Sequence, residues 1–329
     1  MKTGSQLSII GVSMTAMAAL IPALANAQQP YPSKPIRIIT STAGGPYDIA
    51  MRGLSGPLSQ SLGQSIVIDN RTGGSFIPLA EACAHATPDG HTLCTSDSFA
   101  QSLNPLLFSK LPYETKEFAP IIFIGALNSV ILVNAASPAK NIQELIDMAK
   151  AKPDSLSFAT AGPGSGANIY VEYLRREKGI AFLNVPYKSF PQGLAAAMTG
   201  EVNVATFAIG AGLAQAKSGK IRALATTAPQ RSIFAPDLPS LSEVGVDIAV
   251  NTWIGMMGPS GLPREIVMRI NAEYKKLLAD KPLVEKFVMG QGFEPVPPSG
   301  GSPEEFARFI RSDQEAYARA IRIVGIKPE

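Results

Sequence analysis

Cysteine, histidine and tryptophan are nearly missing from this chain: two, two and one among 329 residues. With only Cys83, Cys94, His85 and His91 available, an all-cysteine zinc site is impossible, and a mixed site would need unusual spacings. Charge is also sparse. Charged residues make up 17%, the net charge is +3, and no five like charges run together, so a role that depends on neutralising phosphates is excluded. Nucleic acid is not expected as a partner. Nucleophile chemistry is equally short of parts: no G-x-S-x-G elbow occurs, and neither histidine follows a candidate serine in hydrolase order. Ser137-Pro138-Ala139-Lys140 fits S-x-x-K, but its companion boxes are missing. What is plentiful is apolar residue content, 46%, as in a packed globular chain long enough for two domains.

The first residues read as an export signal. Lys2 precedes an uncharged, largely apolar stretch from Leu7 to Leu24, and Ala25-Asn26-Ala27 is a small-x-small cleavage pattern. Residues 1–27 are therefore expected to be removed on export. An exported chain meets an oxidising compartment, so the state of Cys83 and Cys94 matters. A bridge across the Pro88-Asp89-Gly90 turn is geometrically possible, and separate burial of two small side chains is the expected state. His85 is expected on a helix surface and His91 on an edge strand.

From Ile36 onward, β-rich apolar runs alternate with stretches of helical period. Strands are expected at 36–40, 66–69, 92–96, 121–134, 157–160, 182–185, 202–207, 222–226 and 249–257. Helices are expected between them at 48–62, 76–84, 142–151, 167–177, 192–199 and 212–218. This alternation specifies an α/β architecture with mostly parallel sheets. After Met257 only helical patterns remain, at 263–279, 282–289 and 303–323, each with proline near its first turn. They need a sheet that is already built, which predicts a chain that leaves one domain and returns to it. The long apolar segments 121–134 and 249–257 stand where it would cross, each passing from one sheet to the other. Two crossings make a hinge, and a cleft follows.

Two loops carry the candidate chemistry. The first strand runs into Ser41-Thr42-Ala43-Gly44-Gly45-Pro46-Tyr47-Asp48 at a helix start; the fifth runs into Ala161-Gly162-Pro163-Gly164-Ser165-Gly166 at another. Unpaired amides at a helix N-terminus, with the positive end of its dipole, favour an anion. One such loop in each half predicts a cleft that holds a carboxylate. A dinucleotide reading of Gly162-x-Gly164 fails because no acid ends the next strand, which reads Pro186-Tyr187-Lys188. No cofactor is expected. Gly73-Gly74-Ser75, Ser96, Ser98 and Tyr187-Lys188 would complete a polar rim, and Trp253 is expected in the hinge core.

Eight ordered motifs give the chain a family resemblance: Tyr31-Pro32-Ser33-Lys34-Pro35-Ile36-Arg37, Gly44-Gly45-x-x-Asp48, Leu62-Gly63-Gln64, Asp69-Asn70-Arg71, Pro88-Asp89-Gly90-x-Thr92-Leu93, Asn104-Pro105, Val185-Pro186-Tyr187-Lys188 and Trp253-x-Gly255. From about Tyr31 to Ile326 the chain resembles the substrate-binding proteins of tripartite tricarboxylate transporters, the Bug family. The resemblance implies a type II periplasmic binding fold, with lobe one from 32–126 and 251–329 and lobe two from 127–250. It implies a monomer that closes on a small organic acid anion and delivers it to a membrane permease of one large and one small subunit. Carried over by position, the grip would be Thr42, Ala43, Gly44, Gly45 and Asp48 in lobe one. In lobe two it would be Thr160, Ala161, Gly162, Gly164 and Ser165, with Gly74, Ser75, Ser96, Tyr187 and Phe207 around it.

The chain departs from the family pattern at several of these positions. Thr42-Ala43 replaces a proline-containing pair, and Asn168 stands where a histidine is usual. Ser189-Phe190 follows Lys188 in place of glycine, and Asn203 and Phe207-Ala208 replace acidic positions. Fewer acids and two more rings suit an aromatic or longer apolar acid. A ligand sensor for a membrane signalling partner would share this fold, and an exported carboxylate-dependent enzyme, with Asp48 and Asp97 as its acids, is the remaining alternative.

Overall fold

The computed structural model describes Met1 and residues 31–328, apart from Pro163, Ala249 and Asn251. The export signal expected at 1–27 lies outside the described residues, Met1 aside. Pro32–Glu329 form one compact unit.

The chain opens with strand β1 (Ile36–Thr40), helix α1 (Pro46–Leu62) and strand β2 (Ile66–Asn70), then helix α2 (Ile77–Ala84) and strand β3 (Thr92–Ser96). In α1 the buried Ala50, Met51, Leu54, Leu58 and Leu62 recur at helical spacing and make the face that lies on the sheet. A π-type turn, Phe99–Leu103, runs into the short α3 (Asn104–Leu107). Strands β4 (Phe118–Leu127) and β5 (Ser129–Asn134) follow, then α4 (Ile142–Ala151), β6 (Ser157–Thr160), α5 (Gly166–Lys178), β7 (Leu183–Pro186) and α6 (Phe190–Thr199). Next come β8 (Val204–Ala208), α7 (Ile209–Ala216), β9 (Ile221–Thr226), β10 (Thr252–Pro259), α8 (Arg264–Ala279) and α9 (Lys281–Phe287). The chain ends with β11 (Phe293–Glu294) and α10 (Pro303–Val324).

Two sheets result, six-stranded in the order β11-β4-β10-β3-β1-β2 and five-stranded in the order β7-β6-β8-β5-β9. Neighbours β1, β2 and β3 run parallel, as do β6, β7 and β8, whereas β10 is antiparallel to β3 and β4, and β5 to β8 and β9. Each sheet therefore mixes β-α-β units with the antiparallel strands that connect the sheets.

The expected single crossing strand at 121–134 is broken. The chain leaves the first sheet at Leu127 and joins the second at Ser129. Between them the buried Asn128 donates from Nδ2 to the Glu294 carboxylate at 3.0 Å. That bond holds Asn128 between the two strands, where a continuous ladder was expected. The second crossing also differs, since among the described residues β10 pairs with β3 and β4 and not with the second sheet.

Cys83 and Cys94 are bridged, with Cα atoms 5.9 Å apart. Separate burial does not hold because α2 packs on β3 in one apolar cluster with Leu79 and Ala80, facing the two side chains toward each other. His91 is not on an edge: it precedes β3, which lies between β10 and β1, and its Nε2 accepts from Ser33 N–H at 3.3 Å. His85 is exposed at the end of α2. Trp253 is buried against Phe123, Phe306 and Phe309.

Helix α10 starts with a capping box between Ser302 and Glu305. Phe306 and Ile310 join the Trp253 cluster, while Tyr317, Ala320, Ile321 and Val324 join the core around α5 and β6. One long helix thus packs on the cores of both sheets.

Candidate functional site

In the second glycine loop, polar side chains are used to set the loop's own shape. Ser165 caps α5 by accepting from Asn168 N–H at 3.2 Å; its hydroxyl donates to Gly162 O at 2.8 Å and accepts from Ala161 N–H at 3.2 Å. Gly162 has φ +93°, a conformation that a side chain would strain. The buried Thr160 hydroxyl donates to Asn184 Oδ1 at 2.7 Å, and Asn184 Nδ2 in turn donates to Asn168 Oδ1 at 2.6 Å. With these groups committed inward, the loop offers outward the backbone of Gly164 and of the first α5 residues, Gly166 and Ala167. Amides in a first helical turn have no partner within the helix.

The first loop is closed more tightly. Gly44 N–H donates to Asp48 Oδ2 at 2.9 Å, and Gly45 N–H to Thr42 O at 3.0 Å. Asp48 is also held by Arg52 Nε at 2.9 Å and Asn70 Nδ2 at 2.8 Å. Burial works to raise the Asp48 pKa, but hydrogen bonds from Arg52, Asn70 and Gly44, with the charge of Arg52, hold it below the ordinary value. Asp48 therefore stays ionised and ties the turn to β2, and the residues that follow the turn, Pro46 and Tyr47, reach the cleft.

That cleft is a cavity of about 510 Å³ between the sheets. Pro46, Tyr47, Phe76, Phe99 and Leu103 line it from the first sheet's loops. From the second sheet come Gly164, Gly166, Ala167, Tyr170, Phe190, Phe207 and three hydroxyl residues, Ser129, Thr206 and Thr227. Leu127 and Thr252 at the crossings and Tyr317 of α10 complete much of the wall. A second cavity of about 310 Å³ shares Phe99, Leu103, Gly164 and Phe190 with it.

Of the residues singled out from sequence, Gly164 lines both cavities and Phe207 the larger, while Ser75, Ala161, Gly162 and Ser165 line the smaller. Thr42, Ala43, Gly44, Gly45, Asp48, Gly74, Ser96, Thr160 and Tyr187 line neither. Ser96 accepts from Gln101 Nε2 in the interior, at 3.2 Å, and the Tyr187 hydroxyl donates to Glu201 Oε1 at 2.8 Å. Sequence reading passed over Tyr47, Phe76, Phe99 and Tyr317. For Tyr47, Phe76 and Phe99 the usable signal was an aromatic residue at or beside the start of a helical segment; Tyr317, well inside α10, carries no such mark.

Ser75 and Phe76 hold left-handed backbone angles, φ +55° and +63°. Such angles are uncommon outside glycine and persist only where surroundings impose them. Asn104 Nδ2 fixes the turn by donating to Ser75 O at 2.7 Å, and the Phe76 ring lies 5.3 Å from Tyr47 and 5.7 Å from Phe99. The result is a shelf of three rings on the first-sheet side.

Among the described residues lining the larger cavity, none is charged. The hydroxyls of its tyrosines are bonded to protein groups. Tyr47 O–H is shared between Asp97 Oδ2 at 3.2 Å and Trp253 O at 3.3 Å, and burial followed by the Asp97 charge holds its pKa well above ordinary. The Tyr170 hydroxyl bonds Thr227 and the Val250 backbone, and burial raises its pKa too. Behind this wall, burial pushes Asp97 up to about 7 and Asp313 up to about 6, the latter accepting from Trp253 Nε1 at 3.0 Å. Positive potential in the cavity comes instead from helix N-termini. The starts of α1, α5, α6 and α7 all contribute lining residues.

Comparison with known proteins accords with this geometry. Residues 50–326 match the family described as tripartite tricarboxylate transporter family receptor. A UPF0065 protein of Bordetella bronchiseptica is 32% identical over 91% of this chain and 88% of its own. Among solved structures, the periplasmic binding protein BugD superposes with TM-score 0.71 at 26% identity, covering 91% of this chain and all of its own. R. palustris Rpa4515, solved with adipate, superposes with TM-score 0.75 at 27% identity over the same shares. A two-sheet α/β fold with a cleft between the sheets, together with a family match across most of the length, makes this chain a two-lobed solute-binding protein of the tripartite tricarboxylate transporter receptor family.

Proposed function

We propose that the chain captures a small organic acid anion in the cavity of about 510 Å³ and delivers it to a tripartite permease in the membrane. The observation that carries this reading is the convergence of four helix N-termini, from both sheets, on a cavity without charged lining. Such termini attract an anion without fixing it to a counter-charge, which suits a protein that must later release its cargo. The Rpa4515 relative, bound to adipate, supports an acid as the cargo.

The proposed lobes are 32–126 with 251–329, and 127–250. Gly166 and Ala167 would supply amides to the carboxylate, with Ala161, Gly162, Gly164 and Ser165 shaping their approach. The Thr42–Gly45 turn would act through Pro46 and Tyr47, whose position it sets. A ligand held by both lobes at once favours the closed arrangement, whereas one touching a single lobe equally in both states shifts nothing. The proposed route begins with export to the periplasm and cleavage after Ala27.

A thermal-shift screen at neutral pH tests the reading, using adipate, malate, citrate and phenylacetate, each beside its neutral amide. An acid present at about one hundred times its Kd should stabilise the fold by about 2.7 kcal/mol, and its amide should not. Small-angle scattering with that acid should show the radius of gyration contract. If no acid shifts the unfolding curve, or acid and amide shift it equally, the reading fails.

A further inference from the structure

On the reading of this cavity as an acid site, we infer that its preferred ligand is an aromatic monocarboxylate, with one carboxylate at the α5 N-terminus and one ring between the aromatic walls. Three observations point the same way. The walls are rings: Tyr47, Phe76 and Phe99 from one sheet face a cavity that Tyr170, Phe190 and Phe207 line from the other. The Tyr47 phenol oxygen is bonded behind the wall to Asp97 and the Trp253 carbonyl, and the Tyr170 phenol is already committed to Thr227 and the Val250 backbone at the wall, so the rings of both offer mainly apolar surface to the ligand. Finally, Phe190 is 39% exposed, one of the few large apolar side chains so exposed, and it lines both cavities at their junction.

Charge separates this class from a dicarboxylate. One carboxylate can be satisfied by the Gly166 and Ala167 amides at the start of α5, with the Ser129 and Thr206 hydroxyls elsewhere on the same wall. A second carboxylate would lose its hydration against rings with only the partial charges of the other helix N-termini to compensate it, since no charged residue lines this cavity and Lys327 lines only the smaller one, and burying a poorly paired charge is far costlier than burying a ring. Behind the wall, Asp97 bonds the Tyr47 hydroxyl, and Asp97 and Asp313 both act electrostatically on Tyr317. Each, when ionised, opposes further negative charge at that wall.

Isothermal titration with phenylacetate, benzoate, adipate, malate and phenylacetamide tests the class. Phenylacetate or benzoate is expected to bind at least about tenfold more tightly than malate or adipate, and phenylacetamide at least about tenfold more weakly than phenylacetate. Phe207→Ala should weaken the aromatic acids by about tenfold while changing adipate less than about twofold. Phe190→Ala provides the same readout at a side chain whose exposure leaves the core untouched. Adipate or malate binding more tightly than both aromatic acids would overturn the aromatic class and leave acid capture standing. Absence of binding by all of the acids would overturn both.

Discussion

Replacing Asp97 with Asn should remove a large part of the fall in stability with rising pH, leaving the smaller part that Asp313 supplies. Asp97 is 1% exposed, and its carboxyl receives the Ala100 N–H at 3.0 Å and the Tyr47 hydroxyl at 3.2 Å, but burial still pushes it up to about 7. In the unfolded chain it titrates near about 3.9. Between those values the folded state keeps a proton that the unfolded state has released, so stability falls as pH rises and levels off above about pH 7. At about 1.4 kcal/mol per pH unit, the rise from pH 5 to pH 7 removes about 3 kcal/mol from the native protein. Asp313, pushed up to about 6, acts in the same direction over a narrower range. Asn keeps an acceptor oxygen for Tyr47 and Ala100 and cannot ionise. Urea unfolding of both proteins at pH 5 and pH 8, at fixed ionic strength, should show the Asn variant gaining about 3 kcal/mol relative to the native chain between the two conditions. An equal difference at both pH values would refute the assignment of a buried, protonated Asp97.

Removing the bridge with Cys83→Ser and Cys94→Ser reopens a loop of 11 residues' separation, which chain-entropy arguments value at about 3 kcal/mol; chemical denaturation should show that loss, and reductant should lower the Tm of the native protein but not of the variant. Glu294 accepts from Asn128 Nδ2 and Ser232 Oγ at 3.0 Å and from Ile233 N–H at 2.6 Å. Glu294→Ala therefore orphans three donors at the crossing and should cost about 3 kcal/mol or more, measured by urea unfolding; a loss below about 1 kcal/mol would contradict that role. At Gly255 in β10, an added Cβ would lie 2.2 Å from Phe306 Cζ and 3.0 Å from the Ile122 carbonyl oxygen. Gly255→Ala should lower stability by about 1–3 kcal/mol through overpacking, and an unchanged Tm would mean that α10 can withdraw from the sheet at no cost.

Most strands and helices were legible because hydrophobic period is a local property: the strands from Ile36 to Ser96 and from Ser157 to Thr160, and the helices α1, α4, α8 and α10, fall close to where the pattern puts them. What was not legible depends on distant partners. The break at Asn128 needs Glu294, 166 positions away, and the two-residue β11 has no period to read. The Cys83–Cys94 bridge depends on how α2 lies on β3, which spacing leaves open. The site divides in the same manner. Glycine turns before helices marked both loops, but Asp48 and Ser165 turn inward to accept from amides of their own loops, and the Thr160 hydroxyl turns inward to the Asn184 side chain, a partner 24 positions away that the sequence does not show. The ring wall was hidden for a different reason: Tyr47, Phe76 and Phe99 have the composition of core residues, and only the left-handed turn at Ser75 and Phe76 aims that shelf at the cleft.

The most direct measurement is a crystal structure of the protein grown in turn with phenylacetate and with adipate. The account predicts the acid in the cavity between the sheets, one carboxylate oxygen within about 3 Å of the Gly166 or Ala167 amide and the carbon body against residues of both sheets. An acid bound outside that cavity, or held by residues of one sheet alone, would contradict it.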